Sequence, residues 1–258
     1  MKWYLSTNNE GADICVHIAA KNPCMVTMHT SCLDTDVVFN FRQEEIPAGN
    51  HVILMKMPFT PKNLIVKVVG SIPNNMQVTI EKRPCKSYNV PIGAFQTEFM
   101  EFGQAMAWMV MNGKITPSDK IYKSANENFK MVILPRITNY YGRAIGSPAS
   151  IDADKKIIMV DNELIVNFTM AGMIALLCHE YAHVYENEKN GLKASSEEGA
   201  DKYGLRLFLA CGYGESEYIN AFAKTFKRAD SSENRRRIQV MFNHAKEISE
   251  GKIYGKPY

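Results

Sequence analysis

Near residue 92 the chain changes its hydrophobic rhythm, and that change limits the fold more than any single motif. Before it come six short runs rich in β-branched residues: DICVHIAA, CMVTMHT, DVVFNF, HVILMKM, NLIVKVVG and MQVTIEKR. Alternation with a period of two is the pattern of half-buried strands. Turn residues separate the runs: Asn22-Pro23, the stretch Pro47-Ala48-Gly49-Asn50, Pro58, Pro61 and Pro73-Asn74-Asn75. Short strands at this spacing predict an antiparallel β-sandwich over residues 1–92. Such a module binds, positions or oligomerises; nothing in it has the residue types of catalysis.

KSYNVPIG then reads as a linker, with Pro91 and Gly93 as punctuation. Beyond it, over 93–258, the period lengthens to that of helices. AFQTEFMEFGQAMAWMVMN predicts an apolar helix closed by Gly113, its Met and aromatic stripe belonging to a core. FKMVILPRI predicts a buried strand ended by Pro135, and DKKIIMVDNELI a strand running into a helix start. Four helical segments follow, at roughly 169–190, 195–211, 215–228 and 232–250. The expected fold class is α+β: a sandwich module, then a mainly helical domain with a small sheet.

A formal net charge of +3 on 258 residues gives no electrostatic reason to expect nucleic acid or an anionic membrane. No helix-turn-helix pattern is present either. The densest basic run, Arg235-Arg236-Arg237, falls in a helical pattern and reads as a solvated face. No apolar run reaches the ~18 residues of a membrane-spanning helix. The N-terminal MKWYLSTNNEGAD lacks a signal-peptide core. These features predict a soluble protein, cytoplasmic or part of a particle. The six cysteines form no disulfide framework; Cys178 and Cys211 read as buried thiols. Cys15, His17, Cys24, His29 and Cys32 match no zinc-knuckle spacing.

The chemistry concentrates in LLCHEYAHVYENEKNGLKASSEEGAD, residues 176–201. His179 and His183 are four apart, which on a helix puts their β-carbons roughly 5–6 Å apart on one face. Two imidazoles so placed reach one tetrahedral ion. Glu180 is turned off that line, toward a metal-bound water, where a carboxylate serves as general base. Glu197 and Asp201 repeat the four-residue spacing on the next helix. Glu197 is placed as a third, oxygen ligand, and Asp201 to hydrogen-bond a ligand imidazole and fix its tautomer. The preceding TMAGMIALLC is apolar almost all round, so the helix is buried. Gly191 breaks the chain between the helices. Ser195 and Ser196 can cap the second, with Glu198 completing a capping box on Ser195.

IIMVDNELIVNFTMAGMIALLCHEYAHV resembles the strand, linker and active-site helix of gluzincin metallopeptidases, and EEGADKYGLRLFLACGYGESEYINAFAKTF resembles their second helix. Within that group the stretch over roughly 150–228 is most similar to the CAAX prenyl protease and heat-shock membrane protease family with its soluble relatives. The resemblance implies one zinc ion on His179, His183 and Glu197, with Glu180 as general base and Asp201 as partner of His179. It implies a zinc endopeptidase with a protein or peptide substrate. It further implies that the strand at about 156–160 is a sheet edge to which the substrate chain adds. Many members carry a His-Pro pair before the last helix that helps stabilise the oxyanion. RADSSENRRRIQ stands there instead, leaving Tyr185, Tyr203, Arg235 and His244 as candidates; Tyr181 and Tyr185 read as packing or rim residues.

A second expectation belongs to another class. The missing His-Pro pair, the short inter-helix turn and the sandwich module also suit a structural component of a larger assembly, for example a viral particle. There zinc would act as a staple with little or no hydrolysis, and the β module would drive homo-oligomer or complex formation.

Overall fold

The computed structural model describes residues 1–152, 154–183, 196–227 and 231–254, which form two compact units. The first comprises Met1–Ser87 with Gly212–Gly214, the second Tyr88–Cys211 with Glu215–Tyr258. Antiparallel sheets are followed by a mainly helical region with a small sheet, an α+β chain.

The first unit holds two antiparallel sheets in a sandwich-like arrangement. One contains β1 (Lys2–Ser6), β3 (Cys24–Cys32), β4 (Val38–Ile46) and β6 (Asn63–Gly70), ordered β1-β6-β3-β4. The other contains β2 (Ala12–Ala20), β5 (Gly49–Met57) and β7 (Met76–Pro84), ordered β5-β2-β7. Alternation places Ile14, Val16 and Ile18 of β2 on one face, where they are buried as Val26, Met28, Met55, Val66 and Val68 are. Each such side chain withdrawn from water contributes about 1.5–3 kcal/mol. The six predicted strands are present, and β1 is an addition. On the opposite face of β2, Asp13 and its cross-strand neighbour Lys56 form a buried ion pair at 3.3 Å. The Lys86 backbone completes it: its amide donates to Asp13 Oδ2 at 3.3 Å and its carbonyl accepts from Lys56 Nζ.

In the second unit, α1 (Ala94–Met111) ends near Gly113, whose φ of +63° lies in the left-handed region that favours glycine. The sheet is β10-β11-β9-β8, from β8 (Ile121–Lys123), β9 (Lys130–Leu134), β10 (Ala149–Asp152) and β11 (Ile157–Asp161). Of these, β11 runs parallel to β9 and antiparallel to β10. The helices are α2 (Asn162–Ile165), α3 (Met170–Tyr181), α4 (Glu197–Ala210), α5 (Glu215–Phe226) and α6 (Ser232–Ser249). Among the described residues, no helix is long and apolar enough to cross a membrane.

The expected edge at 156–160 is therefore corrected. β11 is an interior strand and β10 is the edge. The tetrapeptide ASID of β10 is too short and polar to read as a strand alone; its register on β11 makes it one. Asp161 ties this region together. Its Oδ1 caps α2 through Leu164 N at 3.0 Å, its Oδ2 accepts from Ile137 N at 3.0 Å, and its own amide donates to Pro148 O at 3.0 Å.

Candidate metal centre

The site begins with why α3 is buried. Thr169 opens it, its hydroxyl accepting from Gly172 N at 3.0 Å, and every residue from Met170 to His179 is buried. Tyr181 lies in an aromatic cluster, its ring 4.4 Å from that of Phe99 and 5.8 Å from that of Phe129, so it is a packing residue. Ala182 and His183 continue α3 as a wider π turn, a form frequent at functional sites. Ser196 caps α4, accepting from Gly199 N at 3.3 Å. The expected capping box of Ser195 and Glu198 falls on Ser195, outside the described residues. The Glu198 side chain pairs with Lys202 at 2.9 Å and Arg236 at 3.3 Å. Tyr185, Gly191 and Ser195 lie outside the described residues.

Helices α3 and α4 meet because Gly204 lets them. A β-carbon there would lie 2.5 Å from Tyr218 Oη and 2.9 Å from His179 N and Cα. No side chain fits, so the ligand histidine and the face bearing Glu197 and Asp201 come together. Tyr218 Oη donates to the Asp201 carbonyl at 3.2 Å and closes the third side from α5.

The ligand atoms converge. His179 Nε2 and His183 Nε2 are 3.1 Å apart, with ring planes at 87°. Glu197 Oε2 is 3.4 Å from His179 Nε2, and Oε1 is 3.5 Å from His183 Nε2. Zinc–ligand bonds of about 2.0–2.1 Å at tetrahedral angles give ligand–ligand edges of roughly 3.3 Å. The three separations are of that size, with one Glu197 oxygen facing each imidazole. His179, His183 and Glu197 are also the group among the described residues that could hold a metal ion; the cysteines and histidines of the first unit form no such group.

The donor and acceptor balance points the same way. His179 Nδ1 lies 3.1 Å from Asp201 Oδ1, off the line of a good hydrogen bond but close enough to favour a proton on Nδ1. In neutral His179 the Nε2 is then a bare lone pair, aimed at another imidazole nitrogen and a carboxylate. Among the described residues, Glu197 and Asp201 pair with the Arg237 guanidinium and Glu180 lies in its field, so three carboxylates stand against one arginine. A divalent cation held by His179, His183 and Glu197 would meet both the lone pairs of neutral imidazoles and the negative charge.

Protonation shows the same surplus. Burial opposes a charged His179, yet Asp201, Glu197 and Glu180 together raise its pKa to about 9. Burial also pushes Glu197 up, but His179, Arg237 and His183 outweigh it and hold the carboxyl at about 2. Asp201 is fully buried; burial raises it, and Arg237 and His179 bring it below the usual range. For Glu180 burial wins. Reinforced by the Glu197 charge and moderated by His179 and the Ile151 backbone, it lifts the pKa to about 7.

Arg237 corrects the reading of the basic run. It is 9% exposed, forms a two-pronged pair with Asp201 at 2.7 and 2.8 Å, and reaches Glu197 Oε2 at 2.8 Å. Its guanidinium also covers the Phe226 ring at 4.7 Å. Arg235 and Arg236 keep the expected exposure. The cleft is open, about 470 Å³, and its lining includes Ser150 and Ile151 of β10, Glu180, Phe222, Phe226 and Arg237. Tyr203, Arg235 and His244 do not line it. Cys178 is buried against Met100 Sδ, whereas Cys211 is only half-buried.

Compared with protein-family models, curated proteins and solved structures, the chain matches none.

Proposed function

We propose that this chain is a zinc-dependent endopeptidase and a distant relative of the gluzincins. The observation that carries the reading is the convergence of His179 Nε2, His183 Nε2 and Glu197 at separations of 3.1–3.5 Å, with the half-buried Glu180 carboxyl beside them in one cleft. An ion held by those three residues would polarise a scissile carbonyl and acidify a water. The chain's own groups do the rest. Glu180, with its pKa raised to about 7, is poised to take a proton from the attacking water near neutral pH and return it to the leaving amine. Asp201 orients His179, and Arg237 holds Asp201 and Glu197 in place. The exposed edge of β10 offers backbone groups to an extended peptide.

The test pairs elemental analysis with cleavage of a diverse peptide library. Wild type is expected to carry about one zinc per chain and to cleave. Glu180→Gln should keep the zinc and lose activity by about 10²–10⁴-fold. Residual cleavage at the wild-type rate in that variant would remove Glu180 from the mechanism. Zinc bound without any cleavage would transfer the function to the assembly role.

A further inference from the structure

Between β9 and β10 a short hairpin stands out from the second unit. Thr138 and Ala144 bridge its two sides, Asn139 N donates to Arg143 O at 2.8 Å, and Ile145 N donates to Ile137 O at 3.1 Å. Asn139 Oδ1 accepts from both Tyr141 N and Arg143 N at 3.0 Å, and Gly142 supplies the left-handed turn with φ +73°. The backbone is thus fully tied, yet the tip displays two aromatic residues to water. Tyr140 is 97% exposed and Tyr141 81%, their rings edge to face at 5.5 Å. Ile145, 43% exposed, extends the apolar surface toward the base.

Packing does not explain this display, because neither ring is buried. Tyrosine and arginine are the side chains that carry binding energy at protein interfaces, since they offer large contact area for few rotatable bonds. The hairpin also leads straight into the cleft wall. Ser147 and the β10 residues Ala149, Ser150 and Ile151 line the cleft, and residues 143–147 span at most about 14 Å. That span, from Ser147 to Arg143, is no more than about four residues of an extended chain bound along β10 would cover. The segment 136–146 carries Arg136 and Arg143 and no acidic residue; Arg136 already pairs with Glu163 at 3.1 Å. Two tyrosines are too small an apolar area to hold a lipid surface, and they lack the Trp, Phe and Leu of an inserting tip.

The geometry points to the Tyr140–Arg143 hairpin as an exosite: a docking point, outside the reacting groups, for an extended acidic polypeptide whose scissile stretch lies in the cleft. The inference rests on the cleft holding a polypeptide, as the peptidase reading has it. It adds that acidic side chains a few residues beyond the cleft are recognised by the tyrosine hydroxyls and the Arg143 guanidinium.

The test uses fluorescein-labelled β-casein, an unfolded acidic polypeptide, and the zinc-loaded Glu180→Gln protein, read by fluorescence anisotropy. A double Tyr140→Ala/Tyr141→Ala change in that background should weaken binding about tenfold or more, and Arg143→Ala about threefold. Unchanged thermal midpoints would show that both variants fold. In active protein the double change should raise KM for casein and leave kcat, and cleavage of short peptides, as they were. Equal casein binding with and without the tyrosines overturns the exosite, even if casein is cleaved. Hairpin-dependent binding without any hydrolysis keeps the exosite and sinks the peptidase reading. No casein binding at all overturns the exosite as well.

Discussion

Both units bury charge, on opposite plans. In the β unit, Asp13 meets Lys56 at 3.3 Å and the Lys86 backbone fills the remaining positions. One acid faces one base, and nothing is left over. In the helical unit, among the described residues, Glu197 and Asp201 share the Arg237 guanidinium, and the Nε2 atoms of His179 and His183 face each other across 3.1 Å. The first cluster is complete as the chain folds. The second brings together side chains that could hold a metal ion. Burial of charge alone is therefore no mark of function.

The largest effects should come from breaking each cluster from one side. Asp13→Ala strands the buried Lys56 cation and should cost about 3–5 kcal/mol in urea unfolding; Asp201→Ala leaves Arg237 with Glu197 and should cost about 3 kcal/mol, the lower end of that range. Removing both partners separates the plans. Asp13→Leu with Lys56→Met should be neutral or stabilising by about 1–4 kcal/mol. Asp201→Leu with Arg237→Met should recover stability in the same way but weaken zinc affinity about 10–100-fold, read by competition with a chromogenic chelator. Wild-type zinc affinity in that second pair would erase the distinction.

A smaller effect tests the seam between α3 and α4. Gly204→Ala forces a methyl group against Tyr218 Oη and the His179 backbone, and should destabilise by about 1–3 kcal/mol while loosening zinc. Gly103→Ala is the control, because its methyl would meet Leu177 Cδ1 at an ordinary 3.7 Å. As a mid-helix glycine it should gain about 0.5–1 kcal/mol. If both changes act alike, close approach is not what assembles the site.

The smallest effect concerns a half-buried acid in neither cluster. Hydrogen bonds from Ser124, Asn128 and Asn126 outweigh desolvation and hold Glu98 at about 2, against an ordinary 4.5. A depressed carboxyl stabilises the fold above its unfolded pKa and loses that contribution as the pH falls. Wild type should therefore lose its advantage over Glu98→Gln between about pH 4.5 and 2, a modest shift visible in thermal melts. A constant difference across that window would show that Glu98 is not held this way.

How much of this was legible follows from where the information sits. Strands with long alternating runs, such as β2 and β3, carry their own pattern. β8 and β10 are three and four residues long, and what makes them strands is pairing with β9 and β11, which no local window contains. β1 lies at the chain start without a turn signal before it. In the site, spacing alone pointed to His179, His183, Glu197 and Asp201, because helical geometry converts spacing into direction. Arg237 was hidden among three arginines. Its signal lay downstream: it is in phase with Met241, Ala245 and Ile248, the buried stripe of α6. The residue of a charged run that shares a phase with the core is the one to suspect of burial.

Asp161 can be restated in mechanical terms. Three hydrogen bonds of 3.0 Å link it to the hairpin base at Ile137, the approach to β10 at Pro148, and the first turn of α2 at Leu164. It is a rivet through three plates. A pull on the tyrosine tip would pass through Asp161 to the approach to β10 and the start of α2.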